Sequence, residues 1–377
     1  MKNVLDILIG LLALSFLTFF HELGHFVFAK LFKVQVLSFS IGMGPVLLHK
    51  TINGTDYRIS LLPFGGYCGL SGEKDFQKAI DEKLNEIPKT EGSLYNAHPL
   101  KRAMIAFAGP MFNFILAIIA FTVISMVGYK YASYKNYIVI PTVDQVAQSP
   151  ARDAGLLTGD KIIKINNDEI YNFRDIQLAV SLKPKEKLNI VVDRNGEILN
   201  YTVTTLINKE EGNGILGVFP DTEQYDMYES KKYSLFPAIY HGAKDTVKYT
   251  FDTIKSISIL FKGVKVSNVV SGPARITSIL GDTFTESFKE DFRIGLYSSL
   301  SLISFISISL GFINLLPIPL LDGSLILFSL INWITKKEIP PKVQIIIQYV
   351  GIVIIGFLFI LGITGDIRYF IDKWRLK

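Results

Sequence analysis

Cysteine, histidine and charged side chains are all scarce in this chain of 377 residues. Cys68 is its single cysteine, which excludes an intrachain disulfide and leaves cysteine usage uninformative about the redox compartment. Charged residues make up 19% and hydrophobic residues 49%, too apolar for an ordinary soluble enzyme. The composition therefore predicts a polytopic membrane protein. The net charge of +5 comes with no basic cluster beside aromatic residues, so nucleic-acid binding is not expected.

Four apolar runs come close to the ~20 residues that a helix needs to cross a bilayer core. They are Val4 to about Phe28, about Met104 to Val127, about Ile294 to Leu316, and about Val343 to Leu361. The first run lacks a small-residue cleavage site and continues past the histidines to Phe32, so we expect a retained helix rather than a cleaved signal peptide.

Basic residues predict the topology. They are concentrated between Lys30 and Arg102 and in the short loop after the third run, which places both segments in the cytoplasm. The region between the second and third runs is then outside. The basic tail "DKWRLK" argues against this orientation, because four spans place it outside as well.

The chain divides into eight predicted segments. They are transmembrane helix 1 with HELGH (1–32), a membrane-associated re-entrant β-region (33–72), a charged cytoplasmic loop (73–100), transmembrane helix 2 (101–128), a small soluble α+β domain (137–206), an amphipathic helical region (221–292), transmembrane helix 3 with an LDG motif (293–331) and transmembrane helix 4 (343–365).

Three of these segments carry further local signals. In the β-region, Asn53-Gly54 predicts a hairpin. Its apolar strands must pack on protein or line a cavity, because lipid offers no hydrogen-bond partners to the backbone groups of a strand edge. In the charged loop, Phe76, Ile80, Leu84 and Ile87 have helical spacing. From Leu235 to Phe261 one face stays apolar, which predicts a helix on the membrane surface; the alternative is a packed helix of the soluble domain.

The stretch "HELGH" has the residues of a metal site. His21 and His25 are four residues apart, so they share one helix face and can bind one ion. Zinc suits these ligands, and a catalytic zinc site takes three protein ligands and leaves a position for water. Glu22 is free to act as the general base toward that water. The alternative is a chance pair of histidines, although ionisable residues at membrane depth are functional by default.

Asp322 is the candidate third ligand. The remaining histidines, at 49, 98 and 241, lie outside the apolar runs. Asp322 lies in an apolar stretch with no basic residue near it in sequence, and a metal would satisfy such a buried carboxylate. Pro317 and Pro319 break the helix, and Gly323 allows an unusual backbone angle that turns Asp322 toward another helix. The alternative is a helix-capping aspartate at the membrane edge.

Five motifs in order resemble those of the site-2 protease family of intramembrane zinc metalloproteases, in particular the bacterial regulator-of-sigma-E-protease-like members. They are "HELGH", "LLPFGGYCGL", "AGPMFNF", "SGPARI" and "NLLPIPLLDG". The stretch "SPARDAGLLTGDKIIKINNDEI" is similar to the bacterial PDZ signature, against the alternative of an unrelated small β domain. The chain departs from the family at Ser324 and Leu325, where glycine and then histidine or arginine often follow LDG, and at Cys68 and Gly69.

The resemblance implies a fold, a site and a cofactor. The expected fold is a polytopic α-helical membrane protein with four transmembrane helices, a re-entrant β-region and one extracytoplasmic PDZ domain. One Zn2+ is held by His21, His25 and Asp322, with Glu22 as the catalytic base. Asn113 and Asn314 are implied to position the substrate backbone or the oxyanion; for Asn113 a helix-to-helix hydrogen bond is an equal alternative.

The implied function is proteolysis within the membrane. The expected substrates are single-span membrane proteins such as anti-sigma factors, or remnant signal peptides, which reach the site through the lipid bilayer of a bacterial inner membrane. The active site is expected toward the cytoplasm and the PDZ domain outside, where it filters substrates by size. An unwound substrate would pair with the strand edge that we expect Gly65 and Gly66 to shape. The alternatives are a catalytically silent scaffold that binds through its PDZ domain, and a metal transporter.

Overall fold

The computed structural model describes residues 2–208, 212–259 and 271–375. Its α-helices are α1 (Lys2–Leu31), α2 (Glu73–Asp81), α3 (Pro99–Val127), α4 (Pro150–Asp153), α5 (Phe173–Ser181), α6 (Leu235–Ile259), α7 (Pro273–Glu290), α8 (Phe292–Leu315), α9 (Asp322–Thr335) and α10 (Pro341–Arg375). Its strands are β1 (Val36–Ile52), β2 (Thr55–Leu70), β3 (Lys130–Tyr134), β4 (Ile138–Val139), β5 (Lys161–Ile165), β6 (Asp168–Glu169), β7 (Lys187–Arg194), β8 (Glu197–Thr204), β9 (Leu206–Ile207), β10 (Gly214–Ile215), β11 (Phe219–Pro220) and β12 (Tyr225–Glu229).

Two compact units share the chain. The helical unit comprises Met1–Val127, Lys232–Thr250 and Gly272–Lys377, and the small unit comprises Gly128–Lys231 and Phe251–Ser271. In the helical unit, α1, α3, α8 and α10 are long and apolar enough to cross a membrane. Helix α1, with 30 residues at 1.5 Å each, is about 45 Å long, more than the ~30 Å bilayer core. The four predicted transmembrane helices are therefore present by length and composition.

Helix α3 is the centre of the helical unit and packs on α1, α8 and α9. Helix α8 ends at Leu315 because Pro317 disfavours helical backbone before it and donates no hydrogen bond. A separate 14-residue helix, α9, begins at Asp322. The predicted segment 293–331 is therefore two helices joined by a sharp turn, and the LDG motif starts the second of them.

The β-region is a strand pair with an irregular register. Asn53 (φ 49°) and Gly54 (φ 75°) form the predicted hairpin turn, whose two positive φ angles asparagine and glycine tolerate. Residues 56–59 pair with 38–41 on one side and with 48–51 on the other, and 38–41 also pair with 66–69. The sheet therefore has residues 66–70 at one edge, and that edge packs against α1.

The helix in the charged loop is shorter than its periodicity indicates. It ends at Asp81, and Lys83 (φ 52°) then turns the chain in the left-handed region. Phe76 and Ile80 lie on the helix, whereas Leu84 and Ile87 follow it. Ile87 is nevertheless buried, so the apolar spacing reflects packing after a turn rather than a continuous helix.

Helix α6 has two different faces. Ala238, Gly242 and Thr246 repeat every four residues, and a Cβ on Gly242 would lie 2.6 Å from Thr122 Oγ1 of α3, so small side chains allow close packing there. Phe236 and Val247 of the predicted apolar face are exposed. Residues of this helix up to Thr250 belong to the helical unit, and those from Phe251 belong to the small unit. The predicted face extends to Phe261, which lies outside the described ranges.

The small unit is built on a four-stranded antiparallel sheet in the order β6-β5-β7-β8. Helix α5 begins with a capping box of Asn172 and Asp175. The core extends past the predicted boundary at residue 206, because Leu216 is buried in it and β3 pairs with β12. The unit is therefore longer at both ends than the predicted 137–206.

Candidate metal centre

Helix α1 presents the HELGH residues in the middle of the helical unit. The turn of the helix places His21 and His25 one above the other, with their ring centroids 4.9 Å apart. A Cβ on Gly24 would lie 2.2 Å from the Ala108 carbonyl oxygen, so α1 and α3 are in backbone contact here. Only glycine at this position lets the histidine-bearing turn approach α3 so closely.

Helix α3 supplies a hydrogen-bond partner to each imidazole ring. His25 Nδ1 lies 2.8 Å from the Ile105 carbonyl oxygen, and His21 Nδ1 lies 3.0 Å from the side-chain amide of Asn113. Gly109 lies under both rings, where a Cβ would come within 2.4 Å of His25 Nε2 and 2.8 Å of His21 Cε1. These contacts direct both Nε2 atoms to the same side.

Asp322 reaches the histidines from the first position of α9. The turn that leads to it includes Leu320 in the left-handed region (φ 75°). The unusual backbone angle that we expected at Gly323 is not found, since its φ is not positive; glycine is required there because a Cβ would lie 2.2 Å from the Leu316 carbonyl oxygen. A carboxylate at a helix N-terminus is also favoured by the helix dipole.

The three predicted ligands converge on one point. His21 Nε2 lies 3.1 Å from Asp322 Oδ2, and His25 Nε2 lies 3.4 Å from Asp322 Oδ1. The two Nε2 atoms are 3.2 Å apart. All three side chains are at most 20% exposed. Residues about 300 positions apart in the chain thus bring two imidazoles and one carboxylate together, as a tetrahedral metal site with one open position requires.

Glu22 points to the edge of the β-region. The Cys68 backbone N–H donates to Glu22 Oε2 at 2.9 Å, so the 66–70 edge faces the candidate base. A Cβ on Gly66 would lie 3.9 Å from Glu22 Cγ and 2.7 Å from the Ser40 carbonyl oxygen. The glycine therefore allows this strand to pass close to the site.

One cavity of about 420 Å³ contains all of these groups. Its lining includes all eight candidate site residues from the sequence: His21, Glu22, His25, Gly65, Gly66, Asn113, Asn314 and Asp322. Of the two asparagines, Asn113 is fully buried against His21, whereas Asn314 is partly exposed. They therefore occupy different environments on the same cavity.

Sequence reasoning missed three contributors to the site. The Ile105 carbonyl and the Cys68 N–H are backbone groups, which leave no residue-type signal. Gly109 lies within the motif "AGPMFNF", but its contact with the rings was not predicted. The run of small residues Ala106, Ala108 and Gly109 was the available signal, since small residues on a membrane helix mark close contact with a neighbouring helix.

Comparison with known proteins places the chain in a family. The model of peptidase family M50 matches residues 9–358, which include both HELGH and Asp322. The chain belongs to peptidase family M50. Proteins named "Putative zinc metalloprotease" in Treponema pallidum and Clostridium acetobutylicum are each 32% identical to this M50 chain. These alignments cover 97% of this chain in both cases, and 99% and 98% of the relatives.

A third relative, from Campylobacter jejuni, has a name of the same kind. It is also 32% identical, with 98% of this chain and 95% of the relative aligned. The similarity therefore extends over nearly the whole chain, and both units of this M50 peptidase are included in it.

Proposed function

We propose that this chain is an intramembrane zinc metalloprotease that hydrolyses peptide bonds within or near the transmembrane segments of single-span membrane proteins. It is a metalloprotease of family M50 with zinc as its cofactor, in keeping with the names of its relatives. The observation that carries the proposal is the convergence of His21, His25 and Asp322 beside Glu22 within a unit of apolar membrane-length helices.

The residues at the site fit zinc. Two imidazole nitrogens and one carboxylate are a donor set that zinc prefers, and three protein ligands leave one position open. The Ile105 carbonyl accepts from His25 Nδ1 and so fixes the tautomer with a free lone pair on Nε2. The absence of a Cβ on Gly109 leaves room for both imidazole rings.

Glu22 is the proposed general base. A zinc ion bound at this site would polarise a substrate carbonyl and lower the pKa of a water molecule. Glu22 lies on the same helix turn as both histidines and takes the proton from the attacking water. The hydrogen bond from the Cys68 N–H holds the Glu22 carboxylate beside the 66–70 edge, where the substrate peptide would lie.

The 66–70 edge is the proposed substrate platform. A transmembrane helix hides its peptide groups in its own hydrogen bonds and must unwind before it is cut. The edge strand offers backbone partners for the unwound segment in a strand-addition mode. Its position beside Glu22 would put the added peptide next to the base. Asn314, on the same cavity, is the proposed donor to the developing oxyanion.

The proposed location is a bacterial inner membrane with the metal centre toward the cytoplasm. The basic residues that flank the β-region support this orientation. The small unit is the proposed extracytoplasmic PDZ domain; its antiparallel sheet, its helix α5 and the Gly159-Asp160 turn before β5 support this assignment. The proposed substrates are anti-sigma factors and remnant signal peptides.

Cleavage of a single-span substrate tests the chemistry. Purified full-length protein is compared with Glu22→Gln, which keeps the size of the side chain but removes the base. We expect cleavage to fall by about 100-fold or more while zinc content stays unchanged. Equal cleavage by the two proteins would defeat the mechanism and leave a scaffold as the better description.

Metal analysis tests the ligand set. His21→Phe and Asp322→Ala are expected to lose stoichiometric zinc. His49→Phe is the matched control, because His49 is exposed on the β-region and pairs with Asp56 instead of the site. Unchanged zinc in Asp322→Ala would mean that another residue is the third ligand.

A further inference from the structure

Asn113 has an unbalanced hydrogen-bonding environment. Its residue is fully buried in α3, and its Nδ2 lies 3.0 Å from His21 Nδ1. Its Oδ1 is buried too, yet has no hydrogen-bond partner within the described part of the chain. A buried carbonyl oxygen without a donor is costly, so this amide lacks a partner that it needs.

The helix partners of Asn113 leave its side chain little room to move. Ser307 of α8 is fully buried and donates to the Asn113 carbonyl oxygen at 2.8 Å. A Cβ on Gly311 would lie 3.3 Å from Asn113 Cβ, so α8 packs closely against the Cβ of Asn113. The amide is therefore held beside His21, and rotation about its last bond is the movement that exchanges its two ends.

A zinc-binding histidine requires an acceptor at this place. An imidazole that ligates through Nε2 carries its proton on Nδ1, and that N–H is usually bonded to a carboxylate or carbonyl. His25 has the Ile105 carbonyl for this purpose. For His21, Asn113 stands in the corresponding position, and of its two amide ends only Oδ1 can accept.

We propose that Asn113 is a positioning residue, whose Oδ1 accepts the Nδ1–H of His21 and fixes the ring with Nε2 toward the metal. This role rests on the zinc site proposed above. It satisfies the unpaired oxygen and the imidazole proton at the same time. It also differs from the role in substrate positioning that the resemblance implied, because the amide is fully buried and is directed at a proposed metal ligand rather than at a substrate.

Zinc affinity of two Asn113 variants tests the proposal. Asn113→Leu removes the acceptor, and Asn113→Asp keeps an acceptor of the same size. The dissociation constant for zinc is measured by chelator competition on the full-length protein in detergent. We expect Asn113→Leu to weaken binding by about 10- to 100-fold, and Asn113→Asp to stay within a few-fold of the wild type. Asn314→Leu, a change on the same cavity, should leave zinc affinity unchanged.

Three results would overturn or relocate the inference. Unchanged zinc affinity in Asn113→Leu, with reduced kcat/KM, would assign Asn113 to the substrate. Equal weakening by Asn113→Asp and Asn113→Leu would show that packing, and not hydrogen-bond acceptance, is what Asn113 provides. Unchanged zinc in His21→Phe would instead reject the ligand assignment itself. If Asn113→Leu fails to fold, Asn113→Ala carries the same comparison, because its side chain cannot clash.

Discussion

Gly109 is the residue on which the spacing between α3 and the two imidazole rings depends. Gly109→Ala would place a methyl group 2.4 Å from His25 Nε2, so the ring must move away from its ligating position. We expect zinc affinity to fall and activity to drop by about 100-fold, because displacements near 1 Å at a reacting centre have effects of that size. Zinc titration and a cleavage assay measure the two effects.

Gly356→Ala is the matched control for that change. Gly356 lies in α10, and no atom lies within 4 Å of the position that its Cβ would take, so alanine there should be neutral or stabilise the helix by about 0.5–1 kcal/mol. If both alanine variants lost zinc equally, the effect of Gly109→Ala would have to be a general one on the helices.

The proposed ligands stand out in the sequence because their chemistry conflicts with their surroundings. His21, His25 and Asp322 lie in apolar runs, where ionisable side chains are energetically costly unless they share a function. The sequence alone therefore predicts that they bind one metal ion. Gly109 and the Ile105 carbonyl could not be found in this way. Glycine and backbone groups acquire their role from a neighbour far away in the chain, as Ile105 does from His25, and only the packed structure identifies that neighbour.

At the scale of elements, the edge of the β-region can be tested with two glycines of matched backbone. Gly65 (φ 76°) lies on the cavity against Met43, and Gly54 (φ 75°) lies at the open hairpin turn. Alanine costs about 1–2 kcal/mol of left-handed strain at either position. We expect Gly65→Ala alone to lower kcat/KM, by about tenfold, with zinc content intact. Loss of zinc in Gly65→Ala, or an equal change of kcat/KM in both variants, would contradict the proposal that the 66–70 edge binds the substrate.

Arg102 of α3 bonds to Asn332 of α9 and forms a buried ion pair with Glu338, which follows α9. Arg102 Nη2 donates to Asn332 Oδ1 at 2.7 Å and lies 3.5 Å from Glu338 Oε1; the Arg102 and Glu338 side chains are 8% and 10% exposed. Arg102→Met keeps the aliphatic stem but leaves Glu338 with the half-exposed Lys89. We expect a loss of about 3 kcal/mol in the free energy of unfolding, measured by urea titration in detergent.

The double variant Arg102→Met/Glu338→Gln separates charge from packing. It should recover part of the loss, because no buried carboxylate is then left without its guanidinium. If the double variant is no more stable than Arg102→Met, the lost stability comes from the hydrogen bond to Asn332 or from packing of the aliphatic part of Arg102. Because α9 carries Asp322, weaker zinc binding should accompany the instability.

Elements differ in how well sequence patterns predict them. The long apolar helices follow from long apolar runs, and the hairpin turn follows from Asn53-Gly54. The structure contains both, because each depends only on residues next to one another in the chain. The end of α2 and the order of segments in the β-region depend on contacts between distant residues. A helical spacing of apolar residues continues past Asp81, although the helix itself does not, because Lys83 reverses the chain and packing then buries Ile87.

At the scale of the whole molecule, a buried carboxylate predicts how the small unit responds to acid. In the small unit Asp160 is 1% exposed and accepts two bonds from Arg194 and one from the Leu157 N–H. Burial acts to raise the pKa of Asp160, but Arg194 and the Leu157 N–H outweigh it and hold the pKa below its ordinary value. A lowered folded-state pKa adds stability above the unfolded value of about 3.9, and that stability is lost as pH falls through the folded pKa.

We therefore expect the small unit to lose stability below about pH 4, and Asp160→Asn to remove most of that acid dependence together with part of the stability at neutral pH. Hydrogen exchange of peptides covering β5 and β7, in the full-length protein and corrected for the intrinsic pH effect, measures both. Asp168→Asn is the control, since Asp168 is exposed and makes a 3.8 Å surface pair with Lys183 that adds little. If Asp160→Asn kept the acid dependence of the wild type, another group would have to titrate, because asparagine binds no proton in this range and Arg194 stays charged throughout.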